Sequence, residues 1–318
     1  MNPVFPLDRG AKFYIAGHKG MAGSAIWREA ERQNFTNLIG KTSLELDLTN
    51  RVGVFDFFET ERPSYVVLAA AKVGGILAND TYPADFLTEN LLIQLNVMDA
   101  ALTFGVERLL FLGSSCIYPK FASQPIREDS LLTGSLEPTN ESYAIAKIAG
   151  IKQVQAIRKQ HGRRWISAMP TNLYGPGDNY SEEYSHVLPA FIRRFENARQ
   201  AGAEQVTNWG TGEPCREFLY VEDLAKAALF LMENYDDYEQ INVGVGEDIS
   251  IKELSEIIAS EIGYTGEIVW DTSKPDGTPR KLLNVSKINQ LGWKAETSLI
   301  QGIGNAIADY RARFGGEL

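Results

Sequence analysis

Lys12-Phe-Tyr-Ile-Ala-Gly17-His-Lys-Gly20-Met-Ala-Gly23 joins a short apolar run to three evenly spaced glycines, and an amphipathic segment, Ser24 to Gln33, follows. The run reads as a strand, the glycines as a turn and the remainder as a helix. A glycine turn in that place lets backbone approach a pyrophosphate, whose charge then meets the positive end of the helix. The spacing is Gly-x-x-Gly-x-x-Gly, not the commoner Gly-x-Gly-x-x-Gly, and a turn needing glycine for steric reasons alone would look the same. Its position directly after a first strand favours the dinucleotide reading.

The pattern repeats down the chain. Strands are expected at Thr36–Gly40, Tyr65–Ala70, Arg108–Gly113 and Trp165–Pro170, with helices between them, one capped by Thr49 or Asn50 and ending before Pro63. Alternating strand and helix predict an α/β fold, a doubly wound parallel sheet of Rossmann type. After the second strand, an NAD enzyme would carry an acid for the ribose. Here Lys41-Thr-Ser43 stands there instead, and Lys19 lies in the glycine turn. Two cations in these places suit a 2′-phosphate and predict NADP(H); simply solvated lysines are the other reading.

At 318 residues the chain is long enough for one large unit or two lobes around a cleft. Its formal net charge of -10 argues against a nucleic-acid or anionic-membrane surface. The two cysteines, Cys116 and Cys215, form no disulfide framework and no zinc spacing. No apolar run reaches the ~20 residues that span a bilayer, and the first ten residues lack a signal-peptide core. The expectation is a cytoplasmic protein with no membrane partner and no metal.

Four features suggest chemistry. Tyr143 and Lys147 stand four apart in Thr139-Asn-Glu-Ser-Tyr-Ala-Ile-Ala-Lys-Ile-Ala-Gly150, which places them on one helix face. An ammonium beside a phenol favours the phenolate and would lower its pKa from about 10. Ser114-Ser-Cys116 follows the fourth strand, where a doubly wound sheet presents its ligand side; serines also cap turns, and a lone cysteine is often a small buried apolar residue. His186 ends a polar loop just before a helix, where capping or solvation would also explain it. Asn208-Trp209-Gly-Thr-Gly-Glu-Pro-Cys-Arg216 combines aromatic, glycine and basic residues, with Trp209 equally readable as core.

Longer stretches carry a resemblance over nearly the whole chain. Ala69-Ala-Ala-Lys-Val-Gly-Gly75, Leu112-Gly-Ser-Ser-Cys-Ile-Tyr-Pro-Lys120, Glu137-Pro-Thr-Asn140, Tyr143 to Gly150, Met169-Pro-Thr-Asn-Leu-Tyr-Gly-Pro176 and Lys274-Pro-Asp-Gly-Thr-Pro-Arg-Lys-Leu282 resemble the GDP-L-fucose synthase family of extended short-chain dehydrogenases/reductases. The resemblance implies epimerisation of GDP-4-dehydro-6-deoxy-D-mannose at C3 and C5, then reduction of its C4 ketone by NADPH. It implies Cys116 and His186 as the proton-moving pair, Tyr143 as the acid at O4, Lys147 as its tuner, and Ser114 as a hydrogen-bonding partner. It implies Gly17, His18, Lys19, Gly20, Met21, Ala22, Gly23, Lys41, Ser43, Leu112, Gly113, Ser114, Ser115, Lys147, Pro170, Thr171, Asn172 and Leu173 around the cofactor. His186, Arg194, Trp209, Arg216, Asp276 and Lys281 would hold the GDP-sugar. A colitose-type relative reducing another 4-keto sugar is the nearest alternative, and a silent NADP-binding regulator a remoter one.

Residues 1–175 with about 215–244 are expected to form the NADP-binding domain. Those from about 176 to 214 with 245–318 form the smaller α+β substrate lobe. The helix predicted at 83–104 is apolar round much of its circumference, more than one sheet face needs. A homodimer through the helices 83–104 and 139–162 is the expected use of the excess.

Overall fold

The computed structural model describes residues 4–182, 185–274 and 276–315. Glu183 and Tyr184 of the loop before His186, and Pro275 of the 274–282 stretch, lie outside these residues. In chain order the first part runs β1 (Phe13–Ala16), α1 (Met21–Arg32), β2 (Leu38–Ile39), α2 (Arg51–Glu61), β3 (Tyr65–Leu68), α3 (Ile76–Thr81), α4 (Pro83–Thr103), β4 (Arg108–Leu112), α5 (Glu141–His161) and β5 (Ile166–Pro170). The second part runs β6 (Asn172–Tyr174), α6 (Val187–Ala201), β7 (Gln205–Trp209), β8 (Cys215–Arg216), β9 (Phe218–Tyr220), α7 (Val221–Asn234) and β10 (Ile241–Val243). It continues with β11 (Ile249–Ser250), α8 (Ile251–Ile262), β12 (Glu267–Asp271), β13 (Arg280–Lys281), α9 (Ser286–Gln290) and α10 (Leu299–Phe314).

Six strands form one parallel sheet in the order β10-β5-β4-β3-β1-β2. β1, β3, β4 and β5 are buried at every position, as continuous apolar strands covered on both faces must be. α1 packs with α7, and α4 with α2 and α5. The order reverses between β1 and β3, which opens a crevice at the carboxyl ends of those strands. This is the Rossmann-type doubly wound sheet that the alternating pattern predicts.

A second apolar core gathers Phe191, Ile192 and Phe195 of α6, Leu254 and Ile258 of α8, and Ile303 and Ile307 of α10. Beside it are the pair β7–β12 and the small sheet β11-β8-β13. Local signals hold α8 in place: the Ser250 side chain and Glu253 form a reciprocal capping box, and Gly263 ends the helix with φ +82°.

Two local readings change. α1 begins at Met21 rather than Ser24, so Gly23 lies in its first turn and the glycine turn is only Gly17–Gly20. On α4 the buried face is partly polar. Asn90, Gln94 and Asn96 are buried there, while Leu92 and Leu95 face outward. The amides bond backbone remote in the chain: Asn90 bonds both the amide and carbonyl of Lys72, Gln94 the carbonyl of Ala146, and Asn96 those of Leu48 and Thr49.

Candidate active site

The crevice between β1 and β3 is shaped by glycine. Gly17 has φ +86°, and a Cβ there would stand 2.8 Å from the amide nitrogen of Ala70, just past β3. A Cβ at Gly23 would fall on the carbonyl oxygen of Gly17. The N-cap of α1 is Gly20, which has no side chain to close the helix end, so the first amides of α1 remain available to an anion. His18 lies over Gly40 and against Trp27, and its buried Nδ1 has no partner. Lys19 is exposed and Lys41 half-buried. Glu45, whose carboxylate accepts from the amide and hydroxyl of Thr42 at 2.8 and 2.7 Å, sits close enough to Lys41 and His18 to feel both charges. The space and donors fit a dinucleotide.

The far wall comes from β4 and β5. Leu112, Gly113 and Ser115 are buried, and Thr171 and Asn172 bond the carbonyl of Glu217 at 3.2 and 2.8 Å. α5 lies against β4 and places Tyr143 and Lys147 one turn apart, as their spacing predicts. Lys147 is 3% exposed; its Nζ donates to the carbonyl of Leu112 at 2.9 Å and lies 5.7 Å from the centre of the Tyr143 ring. Burial brings its pKa down to about 8.

Burial pushes the Tyr143 hydroxyl well above its ordinary value, the negative charge of Cys116 adds to the rise, and a hydrogen bond with Ser114 works against both. The Lys147 ammonium donates to the Leu112 carbonyl and also faces the Tyr143 ring. Tyr143 is therefore a firmly protonated donor in this structure.

Cys116 lies in the turn that follows β4. Ser114 Oγ accepts the Cys116 amide at 3.2 Å, which fixes the turn. Asn140 Nδ2 donates to the sulfur at 3.5 Å and Lys281 Nζ at 3.3 Å. Burial pushes the thiol up, but Lys281, Ser114 and Arg216 outweigh it and leave the group below its ordinary value. His186 forms the N-cap of α6 and is exposed. Partial desolvation at the cleft and the charge of Lys281 lower its pKa.

The remaining predicted residues form a half-ring beyond. β13 runs parallel to β8 with Lys281 paired to Arg216, so two cations stand side by side. Arg194 donates to Asn208 Oδ1 at 2.6 Å, and burial lowers its pKa. Trp209 is 67% exposed at the end of β7, with Lys274 5.5 Å from its ring centre; it is not core. Asp276 braces the neighbouring turn, accepting the Thr211 amide and hydroxyl at 2.9 and 2.8 Å.

Sequence reasoning gave no role to Asn140 or Glu217. Asn140 could have been found, since it stands one helical turn before Tyr143. Glu217 looks like any solvated acid, yet it is fully buried and accepts the amides of Val245, Gly246 and Leu283. Among the described residues, no group of three or more His, Cys, Asp or Glu is placed to hold a metal ion, and no helix is long and apolar enough to cross a membrane.

Residues 13–244 match the family described as NAD dependent epimerase/dehydratase. Similar proteins include the probable GDP-L-fucose synthase 1 of Oryza sativa subsp. japonica, 60% identical over 94% of this chain and 92% of its own. The GDP-L-fucose synthase of Escherichia coli is 52% identical over 92% and 94%. The GDP-L-colitose synthase of Yersinia pseudotuberculosis is more distant, at 38% over 92% and 95%. Among solved structures, a GDP-L-fucose synthetase from Naegleria fowleri bound to NADP superposes with a TM-score of 0.90. It is 28% identical and covers 99% of this chain and 98% of its own.

Proposed function

This chain belongs to the NAD dependent epimerase/dehydratase family and, within it, to the GDP-L-fucose synthases, and on that premise we propose that it converts GDP-4-dehydro-6-deoxy-D-mannose to GDP-L-fucose. The observation that carries this reading is the convergence of a charge-stabilised thiol, Cys116, and a protonated phenol, Tyr143, on Ser114 at the end of β4. One pocket then holds both a base for carbon and an acid for oxygen.

In the first stage Cys116 takes a proton from a carbon next to the C4 ketone. The C–H bond breaks, an S–H bond forms, and the electron pair moves onto the C4 oxygen. Ser114 and Tyr143 donate hydrogen bonds to that oxygen. His186 returns a proton on the opposite face; partial desolvation and the charge of Lys281 make its imidazolium a stronger acid than usual. Cys116 then releases its proton to solvent and His186 regains one, and with both groups reset the sequence repeats at the second carbon. In the reductive stage Tyr143 gives its proton to O4.

NADP(H) is the cofactor, and when bound it supplies the hydride for C4. Gly17 to Gly23 and the open end of α1 would hold its pyrophosphate, with Lys19, Lys41 and Ser43 on the 2′-phosphate side. Leu112 to Ser115 and Pro170 to Leu173 would line the rest, and Lys147 would hold the nicotinamide ribose. Arg194, Arg216 and Asp276 would grip GDP, with Trp209 against the base or sugar. The second core, with β7, β12, β11 and β13, is then the substrate lobe, and residues 1–175 with about 215–244 the cofactor domain, whose β8 and β9 pack into that lobe. A free reactive thiol suits a reducing compartment, which supports a cytoplasmic reading.

Leu92 and Leu95 of α4 and Ile145 of α5 are exposed on two adjacent helices. They would form a homodimer interface, and sedimentation of Leu95→Asp as a monomer beside a wild-type dimer tests it. The catalytic reading is tested by incubating enzyme and GDP-4-dehydro-6-deoxy-D-mannose in D₂O without NADPH. Deuterium is expected at C3 and C5. Absence of exchange would overturn the roles of Cys116 and His186.

A further inference from the structure

Lys281 stands in the predicted GDP-binding set, yet its ammonium is spent elsewhere. Lys281 at 3.3 Å and Asn140 at 3.5 Å each donate a hydrogen bond to the Cys116 sulfur. A sulfur that only accepts has no need of its own proton. Cys215 makes the contrast within the same chain: its Sγ donates to the carbonyl of Glu213 at 3.6 Å, as a neutral thiol does. Among the described residues no ion pair joins Lys281 to a carboxylate, whereas the two other cations lining this pocket have their own acids. Lys120 pairs with Glu137 at 3.3 Å and Arg280 with Asp248 at 2.6 Å. The charged or titratable groups that act on Cys116 are thus Lys281 from β13, Arg216 from β8 and Tyr143 from α5.

Lys281 is also held in place from its C-terminal side. The Leu282 amide donates to Gln124 Oε1 at 2.9 Å and the Leu283 amide to Glu217 Oε2 at 3.0 Å. Its register partner across the strand pair is Arg216, and its ammonium meets the sulfur at 3.3 Å. We propose that Lys281 is a positioning residue for the epimerase stage: its ammonium keeps Cys116 a thiolate before substrate arrives, so that the base is ready when the acidic carbon is delivered. This rests on the reading of Cys116 as the base.

The test uses the full chain in a Cys215→Ser background, where iodoacetamide reads Cys116 alone. The alkylation rate is followed from about pH 6 to about pH 10, since only the thiolate reacts. The parent should show a midpoint below the ~8.5 of a free cysteine. Lys281→Met should raise that midpoint by ~1–3 units, the effect of removing a close opposite charge, and Lys281→Arg should keep most of the depression. Lys281→Gln serves where the methionine variant does not fold, with NADPH binding as the check on the fold. An unchanged midpoint in the folded Met or Gln variant overturns the proposal. Deuterium exchange separates the two readings: full exchange by Cys116→Ser removes the base assignment, whereas a midpoint that ignores Lys281 while Cys116→Ser still abolishes exchange removes only the lysine's role.

Discussion

The fully buried carboxylate of Glu217 accepts the backbone amide of Leu283 at 3.0 Å, two residues beyond Lys281. Its other oxygen accepts the amides of Val245 and Gly246 at 2.6 and 2.7 Å. Gly244 makes this approach possible, because any Cβ there would overlap Glu217. One acid thereby ties the residues after β10 to the strand that carries Lys281. Glu217→Gln turns one acceptor into a donor facing an amide. The expected loss is about 1–3 kcal/mol, measured by urea denaturation. Unaltered stability would mean that these amides find other acceptors.

Gly23→Ala puts a methyl group onto the carbonyl oxygen of Gly17. Neither atom sits at the end of a flexible side chain, so α1 must move away from the turn. NADPH affinity, read by fluorescence titration, should fall by roughly tenfold or more, about 1.4 kcal/mol. Wild-type affinity in this variant would show that the turn does not hold the pyrophosphate.

Lys147 is brought down to about 8 by burial. It is charged below that pH and loses its proton above it, so the single-turnover rate of reduction should decline as pH rises through about 8. Lys147→Arg stays charged. Its rate should be lower at the plateau yet flat across the same range. A wild-type profile that also stays flat would detach the charge of Lys147 from the reductive stage.

Asp178 is 4% exposed, accepts the Asn179 amide through one oxygen, and has its other oxygen buried without a partner. Burial pushes its pKa up to about 7. Unfolded, it ionises near ~3.9. Between those values the folded chain holds a proton that the unfolded chain has lost, so stability falls as pH rises from about 4 to about 7. Asp178→Asn should flatten that part of the melting-temperature profile and be the more stable protein at pH 8. Parallel profiles for the two proteins would place the slope elsewhere.

The glycine turn could be read directly, because absence of a side chain is a property of the residue itself. The start of α1 could not. Met21 and Ser24 are both compatible with a helix, and only packing of Gly23 on Gly17 decides between them. The apolar excess on α4 was visible, but not its buried amides, whose partners at Leu48, Lys72 and Ala146 are remote in the chain. Arg108 illustrates the same limit. The first residue of a predicted strand, it is fully buried, donating to the carbonyl of Met232 at 2.9 Å and to those of Arg164 and Tyr235.

What the sequence by itself determined is everything periodicity and short spacing encode: the alternating strands and helices, the glycine turn, the face shared by Tyr143 and Lys147, and the cluster at Ser114 to Cys116. Resemblance in those stretches added the chemistry. The tertiary structure decided the charge states. Lys281 reaches Cys116 from 165 residues away because β13 pairs with β8, and Lys147 donates to the Leu112 carbonyl while facing the Tyr143 ring. A pKa depends on which groups surround an atom at a few ångströms and on how much water is excluded. Neither quantity exists until remote segments of the chain have packed together.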